Sequence, residues 1–425
     1  MFGVAESQAL DYGEGMDRLM RDRAPYALLA LTCLAGWLFK WHCGAFWVGN
    51  VQYVTGCYSD AVPFWGLRGV AAGQAPYFQA RMEYPVLTGA LIWVEGGITR
   101  LGGARADAAD FLTIVSGVNA VLAFVVLAMM RGAGVDRARQ FAWSLSPLLV
   151  LYLGHNWDML AVAFAVGALL AARRGRDATA TALAALGTAA KLFPVLMLPL
   201  FGLGALFKRG ERLPQRLASA ATLVAVAVLA WGVVNLPVAI GAFQNWSEFY
   251  RFSGERSGTA GSVWELASML GVAQIDVPTR NLWSFAAFAA GAVAIVAAGW
   301  PRHRDRLWLL FTPVLAWFLL TSKVYSPQFD LWLYPFAILT SRRLWPVAWF
   351  ALGDALAYFA EFWIFAGLAT PKMLAVAAVI RAGAMLWIIG SALTEPPPAW
   401  ISRTDPRDSA ADRPRSPDLS ASTAI

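Results

Sequence analysis

Apolar residues recur in long blocks along this chain, and short polar clusters separate the blocks. The blocks run from Pro25 to Leu393. A block of roughly 20 apolar residues can cross a bilayer as a helix. The pattern therefore predicts an all-α polytopic membrane protein of about 12 transmembrane helices, with no sizeable soluble domain.

Basic clusters between the blocks predict how the helices alternate across the membrane, because Lys and Arg concentrate in cytoplasmic loops. The main clusters are Arg18, Arg21 and Arg23; Arg131, Arg137 and Arg139; Arg173, Arg174 and Arg176; Lys208, Arg209, Arg212 and Arg216; Arg302, Arg304 and Arg306; and Arg342 with Arg343. Between the first span and Arg131 the number of crossings must be odd. One of the segments 85–98 and 106–130 therefore does not cross.

We interpret segment 85–98 as an interfacial helix, because it is short, begins at a proline and contains Glu95, Gly96 and Gly97. Residues 1–24 are then cytoplasmic, 25–393 form the membrane domain, and 394–425 form a disordered cytoplasmic tail. Large outer loops fall at about 44–105 and 243–280. The predicted spans are 25–41, 107–130, 141–154, 157–172, 178–190, 194–207, 217–241, 282–300, 307–321, 328–340, 344–366 and 371–391.

Composition agrees with this class of protein and excludes others. Of 425 residues, 58% are hydrophobic and 14% are charged, with mean hydropathy +0.53. The net charge of +7 comes from short clusters between apolar blocks, so we expect a bilayer rather than nucleic acid as partner. Three cysteines and three histidines show no metal-ligand spacing, so we expect no metal or cofactor. Whether Cys43 and Cys57 form a disulfide stays an open question at this point.

Several polar residues fall at the predicted outer ends of the helices. A charge at membrane depth is costly, so each is a candidate functional residue. Carboxylates among them could accept a proton, and lysines could hold a phosphate. The set comprises Asp60, Glu83, His155, Asn156, Asp158, Lys191, Lys323 and Gln328.

Each candidate also has a purely structural interpretation. Asp60 and Asp158 could cap the helices that follow them. Lys191 and Lys323 could lie at helix C-termini and extend their ammonium groups to water. Glu83 could be an exposed loop carboxylate, and His155 could be a helix-interface residue.

The candidate residues and the sequences around them, in this order, resemble the GT-C superfamily of membrane glycosyltransferases. The closest likeness is to actinobacterial polyprenyl-phosphate-mannose-dependent alpha-(1,2)-mannosyltransferases. The likeness covers Pro25 to Leu393. Its motifs are CYSDAVPFW around Asp60, EYPVL from Glu83, HNWD from His155, KLFP from Lys191 and KVYSPQ from Lys323. In one respect the chain departs from some GT-C enzymes, which carry two adjacent acids where Asp60 stands between Ser59 and Ala61.

The resemblance implies a GT-C-like fold and an inverting glycosyltransferase at the outer face of the plasma membrane. It would transfer a sugar from a polyprenyl-phosphate donor to a glycolipid or lipoglycan acceptor without a metal, and mannose is the sugar we expect. Asp60 would be the general base. The remaining implied site residues are Lys191, Lys323 and Arg81 for the donor phosphate, and Glu83, Tyr84, His155, Asn156, Asp158 and Gln328 for substrate.

A transporter or flippase of cell-envelope lipids or glycans is the alternative. Such proteins usually bind substrate near the membrane midplane and often contain internal repeats. This chain shows no repeat, and its polar residues gather at helix ends. Asp354 and Arg381 are mid-span exceptions, which we interpret as a structural ion pair.

Overall fold

The computed structural model describes the backbone of residues 2–44 and 47–402, and side chains from Asp22 onward. Every regular element in this part is helical. The α-helices are α1 (Phe2–Trp41), α2 (Val51–Val54), α3 (Ala61–Leu67), α4 (Val86–Arg100), α5 (Ala108–Gly132), α6 (Arg137–Ser144), α7 (Pro147–Tyr152), α8 (Asp158–Arg173), α9 (Asp177–Ala190), α10 (Met197–Leu206), α11 (Leu213–Gly241), α12 (Phe243–Glu255), α13 (Val263–Met269), α14 (Val277–His303), α15 (Phe311–Thr321), α16 (Asp330–Thr340), α17 (Trp345–Phe365), α18 (Pro371–Thr394) and α19 (Ala399–Ser402).

Six helical stretches are long and apolar enough to cross a membrane. They are Asp22–Trp41, Ala108–Gly132, Leu213–Gly241, Val277–His303, Trp345–Phe365 and Pro371–Ser402. The predicted all-helical class is confirmed, and these stretches support a multi-pass membrane protein. The prediction of about 12 crossings stays a prediction, because the remaining apolar helices are shorter.

One predicted span is broken in two. The segment 141–154 contains the end of α6 and all of α7, separated at Leu145 and Ser146. Pro147 begins α7, and the Ser146 hydroxyl accepts a hydrogen bond from the Leu149 amide at 3.3 Å. Proline lacks an amide donor and suits the first turn of a helix, so this pair starts a new helix rather than continuing the old one.

Helices of the bundle differ in what surrounds them. Helix α8 is buried on almost every side, and its Ala, Val and Gly residues allow neighbouring helices to approach closely. In contrast, only 17% of the most apolar window of α11 is buried, and Val228, Leu229 and Val233 are exposed there. A bare apolar face of this kind is expected to contact lipid.

The arginine clusters gather at one end of the bundle, which we name the arginine end. Asp22 pairs with Arg131 and Arg137, and Arg139 donates to the Ser341 carbonyl at 2.5 Å. The opposite end, named the site end, joins the loops that carry the candidate residues. There the Asp60 amide donates to the His155 carbonyl at 2.8 Å. This segregation agrees with the alternation derived from the basic clusters.

Helix α4 occupies the position of the predicted interfacial helix. It has 15 residues and does not qualify as a membrane span by length. One face is buried, including Ile92 and Glu95, while Trp93, Val94 and Ile98 are exposed. The Thr88 hydroxyl donates to the Ala190 carbonyl at 2.7 Å, so α4 is joined to the end of α9.

The predicted disordered tail begins too early. Helix α19 lies within it, and Trp400 is only 1% exposed. The Trp400 indole donates to the Leu339 carbonyl at 2.9 Å. Burial of this large side chain accounts for the order of residues 399–402, and the disorder prediction is wrong for them. Residues 403–425 lie outside the described residues.

Candidate functional site

Asp60 lies directly before α3 in the loop predicted to be the first outer loop, but its side chain does not cap that helix. Ser59 takes that place, since its hydroxyl accepts a hydrogen bond from the Ala61 amide at 3.1 Å. The Asp60 carboxylate instead accepts a hydrogen bond from the Tyr84 hydroxyl at 2.9 Å. Within the described residues Asp60 forms no ion pair. The capping interpretation is therefore not what the structure shows.

The surroundings of Asp60 act on its proton affinity in opposite directions. Burial raises the pKa of the carboxyl, while the Tyr84 hydrogen bond and the nearby Lys191 charge oppose the rise. Burial and the Asp60 charge together raise the pKa of Tyr84 well above its usual value. Tyr84 therefore stays protonated and donates, which leaves Asp60 as the group that can accept a proton.

Lys191 follows the last residue of α9 and is buried rather than extended to water, with 8% exposure. Its ammonium lies 2.8 Å from the Asp158 carboxylate. The contact is off-axis for a hydrogen bond, so we describe it as an ion pair. The same ammonium lies 4.6 Å from the centre of the Tyr84 ring. Lys191 thus contacts the hydrogen-bond donor of Asp60, and its charge is largely balanced by Asp158.

His155 and Asn156 form the turn that leads into α8. The Asn156 amide oxygen accepts from the Asp158 amide at 3.0 Å, so Asn156, not Asp158, satisfies this helix start. Its side-chain nitrogen is buried without a hydrogen-bond partner. Burial lowers the pKa of His155, and the charges of Lys40 and Lys191 add to that effect. His155 is therefore a neutral imidazole.

Lys323 and Gln328 lie between α15 and α16, on another side of the site end. The Lys323 ammonium donates to the carbonyls of Ser253 and Gly254 at 3.3 and 3.0 Å, at the end of α12. Burial lowers its pKa, and the charges of Arg256 and Arg280 lower it further. Gln328 has a buried amide oxygen without a hydrogen-bond partner. Lys323 is thus bound to main-chain oxygens and is not paired with an acid.

Sequence reasoning missed Arg256, which follows α12. Its guanidinium stacks over the Phe252 ring at 5.2 Å and forms no ion pair within the described part of the chain. Burial lowers the pKa of Arg256, and the charges of Tyr84, Glu83 and Asp60 oppose that change. Arg256 therefore belongs to the electrostatic surroundings of Asp60. Its local sequence, FSGERSG, resembles an ordinary surface loop and gives no signal.

Two predicted site residues lie at the periphery. Glu83 pairs with Arg68, and both side chains are about one-third exposed (28% and 33%). Arg81 pairs with Glu248 of α12, and its side chain is 68% exposed. The structure gives Arg81 no contact with Lys191 or Lys323. Because Glu248 already balances its charge, Arg256 is the better arginine for an anionic ligand.

The loop that carries Asp60 is fixed by two devices near its start. Cys43 and Cys57 form a disulfide whose Cα atoms lie 5.8 Å apart, which decides the open alternative. Lys40, in the last turn of α1, is fully buried and donates to the Tyr58 carbonyl at 2.8 Å and the Gly56 carbonyl at 3.2 Å. The sequence shows Lys40 as a lysine in an apolar span, which was the available signal for it.

Glu95 of α4 was not predicted as a site residue either, and its side chain contacts the turn before α8. It is fully buried and accepts a hydrogen bond from the Trp157 indole at 2.6 Å. Burial raises the pKa of Glu95 to about 8, although the Trp157 hydrogen bond opposes the rise. Trp157 also packs against Tyr84, with ring centres 5.3 Å apart. Glu95 therefore helps to hold the ring beside the donor of Asp60.

The mid-span charges belong to a separate group. Arg381 pairs with Asp330 at 3.0 Å, whereas Asp354 accepts from the Tyr152 hydroxyl at 2.5 Å. The prediction of an Asp354–Arg381 ion pair is therefore wrong, because Arg381 pairs with Asp330 instead. Helices α17 and α18 pack so closely that a Cβ on Gly353 would lie 2.7 Å from the Arg381 backbone, and Asp330 reaches the guanidinium from α16.

The site end thus brings together a carboxylate without an ion pair, a tyrosine that donates to it, a balanced lysine pair and an unbalanced arginine. Such a set can remove a proton and bind an anion. No protein-family model matches the chain, and no curated protein matches it either. The argument for function therefore rests on these residues.

Proposed function

We propose that the protein is a membrane glycosyltransferase that uses a polyprenyl-phosphate sugar, most simply mannose, and a glycolipid or lipoglycan acceptor. The observation that carries the proposal is that the site end contains both a carboxylate and an arginine without ion-pair partners among the described residues, Asp60 and Arg256. The charges of Tyr84, Glu83 and Asp60 all oppose the lowering of the Arg256 pKa by burial. Transfer of a sugar from a phosphate leaving group uses a base for the acceptor hydroxyl and a cation for the departing phosphate.

In the proposed step Asp60 removes the proton of an acceptor hydroxyl as that oxygen attacks the anomeric carbon. The bond between that carbon and the phosphate oxygen breaks, and its electron pair leaves with the phosphate. One displacement inverts the anomeric configuration, so a beta-linked donor gives an alpha product. Tyr84 keeps the Asp60 carboxylate oriented through its 2.9 Å hydrogen bond.

Arg256 and Lys323 are the proposed ligands of the departing phosphate. An arginine can offer two parallel N–H donors to phosphate oxygens, and a lysine offers a compact charge. We expect Lys323 to exchange one of its carbonyl contacts for the phosphate when the donor binds. Both residues are joined to the end of α12, so binding of the phosphate and the position of α12 are coupled.

Lys191 has a different part in this proposal from the one predicted for it. Its ion pair with Asp158 leaves little net charge for a phosphate. The Lys191 charge nevertheless lowers the pKa of Asp60, which favours the ionised base. Lys191 is therefore proposed as a positioning residue for Asp60.

The deciding experiment is a transfer assay with the purified full-length chain. The chain is incubated with polyprenyl-phosphate mannose and a panel of glycolipid acceptors, and each acceptor is followed by mass spectrometry. A gain of one hexose with loss of donor supports the proposal. Reconstituted vesicles provide the opposing test, because transbilayer movement of the donor without any acceptor product would favour the flippase alternative.

The structure offers that alternative little support. A midplane binding site needs polar groups that are open to substrate. Asp354 is fully buried, and Arg381 is 2% exposed and ion-paired.

A further inference from the structure

An apolar cleft opens at the arginine end, far along the bundle from Asp60. It has a volume of about 530 Å³ and lies between α6, the start of α7 and α17. Phe141, Leu145, Val347 and Leu352 are among its lining residues. The one hydroxyl in the lining, on Tyr334, already donates to the Ala142 carbonyl at 3.0 Å. The cleft therefore offers mainly hydrocarbon contacts to an occupant.

The length of the cleft matches one leaflet of a bilayer. Its lining runs along α17 from Leu344 to Ala355, which lies near the middle of this helix. At 1.5 Å per residue this segment rises roughly 16 Å, about half of a hydrocarbon core of roughly 30 Å. An acyl chain of a lipid in the leaflet at the arginine end would fit this span.

Two exposed arginines are sequence neighbours of residues that line the cleft. Ala138 and Leu344 line it, and each directly follows an exposed arginine, Arg137 or Arg343. Asp22 is shared between Arg131 and Arg137. In the part of the chain that the structure describes, no acid pairs with Arg343. Arg342 instead lines a smaller cleft that also contains Glu395. Arg343 is therefore the main cation for a headgroup, and Arg137, which shares Asp22 with Arg131, is the second.

We propose that this cleft binds an anionic phospholipid of the surrounding bilayer, with one acyl chain along α17 and the phosphate beside Arg343 and Arg137. Basic pockets between membrane helices on the cytoplasmic side are suited to anionic headgroups. The sugar donor is not the occupant, because its phosphate has to reach Asp60 at the site end. Lipid binding is measured without glycosyl transfer, but excluding the sugar donor as the occupant rests on the proposed function.

Native mass spectrometry of the purified full-length chain tests it, with phosphatidylglycerol and phosphatidylcholine of identical chains added in turn. We expect wild type to retain phosphatidylglycerol preferentially. Arg343→Gln should weaken its binding about fivefold, since one basic residue near a membrane surface contributes about 1 kcal/mol. The matched control is Arg176→Gln, which removes an exposed arginine between α8 and α9 and should leave binding unchanged.

A second variant tests the chain-binding part separately. Ala348→Trp places a large ring in the lining of the cleft and should reduce retention of both lipids. Equal binding of the two lipids by wild type, or equal losses in Arg343→Gln and Arg176→Gln, would overturn the headgroup assignment. Unchanged retention in Ala348→Trp would show that the cleft does not hold the chain.

Discussion

Two clusters of buried polar residues differ in how their charges are balanced. The outer cluster comprises Asp60, Tyr84, Asp158, Lys191 and Arg256. The deep cluster comprises Tyr152, Tyr325, Asp330, Asp354 and Arg381. In the deep cluster the Tyr325 and Tyr152 hydroxyls donate to Asp330 and Asp354, and Arg381 pairs with Asp330. Among the described residues each cluster contains one acid without an ion pair, Asp60 or Asp354, but only the outer cluster also contains an arginine, Arg256, without one.

The difference separates a structural role from a chemical one. The Arg381 guanidinium also donates to the Gly261 carbonyl at 3.1 Å and stacks over the Tyr325 ring at 4.0 Å, so its bonding capacity is taken up by the protein. Arg256 stacks over the Phe252 ring, but no described residue accepts a hydrogen bond from its N–H groups. A substrate anion can therefore bind the arginine of the outer cluster, whereas the arginine of the deep cluster is already occupied by Asp330. The following predictions are ordered by expected effect.

Asp60→Asn should reduce transfer by about 10²- to 10⁴-fold, because a positioned base contributes about that factor. Asparagine preserves the shape and can still accept the Tyr84 hydrogen bond, so only the proton-accepting charge is lost. Initial rates with saturating acceptor measure the effect. Asp276→Asn is the matched control, since Asp276 also precedes a helix without a side-chain capping bond and is exposed. Retention of a tenth of the wild-type rate would remove Asp60 from the mechanism.

Asp330→Asn should destabilise the fold by about 3–5 kcal/mol, because it leaves the buried Arg381 charge without its ion-pair partner. Thermal unfolding in detergent measures the loss. Asp354→Asn is the control, since an amide oxygen still accepts the Tyr152 hydroxyl. If Asp354→Asn abolished transfer in a stable protein, the deep cluster would have a chemical role and the contrast would fail.

Arg256→Gln should lower kcat/KM for the lipid donor by about 10²- to 10³-fold, the range seen when one charge-stabilising contact is removed. The neutral amide keeps most of the length of the side chain but not the charge. Arg251→Gln, within the helix that Arg256 follows, is the control, because Arg251 is exposed and pairs with Glu248. Equal rates in both variants would return Arg256 to a surface role.

Tyr84→Phe should move the acid limb of the pH–rate profile to higher pH. Asp60 must be ionised to act as base, so activity falls as pH drops through its pKa. Loss of the Tyr84 hydrogen bond raises that pKa, and the fall then begins at higher pH. A kcat/KM profile for the acceptor measures the shift, with Tyr250→Phe as control. A shift to lower pH would contradict the proposed protonation of Asp60.

Sequence patterns predicted the helical class well because the apolar blocks are long. The observed bounds of α5, α8 and α17 lie within two residues of the predicted spans 107–130, 157–172 and 344–366. The break before α7 was missed, because both halves are apolar and only Ser146 and Pro147 mark it.

The contacts between polar residues were harder to predict than the candidate residues themselves. Asp60, Asp158 and Lys191 could be selected because charge is rare near membrane spans, and the structure places them around Tyr84. The pairing of Arg381 with Asp330 joins residues from two helices, and spacing along the chain does not encode it. Arg256 could be identified only from the fold, because nothing in its polar loop sequence sets it apart from an ordinary surface arginine.

The Cys43–Cys57 disulfide relates the assembly of the site to its cellular compartment. Such bonds persist where the surroundings are oxidising and are rare in the reducing cytosol. Cys57 precedes Asp60 by only three positions, so this bond restrains the loop that presents the carboxylate. A newly made chain would then acquire a fixed Asp60 only after its first loop has been exported. Under the proposed outer-face glycosyl transfer, this order would keep the chain inactive until its first loop is exported.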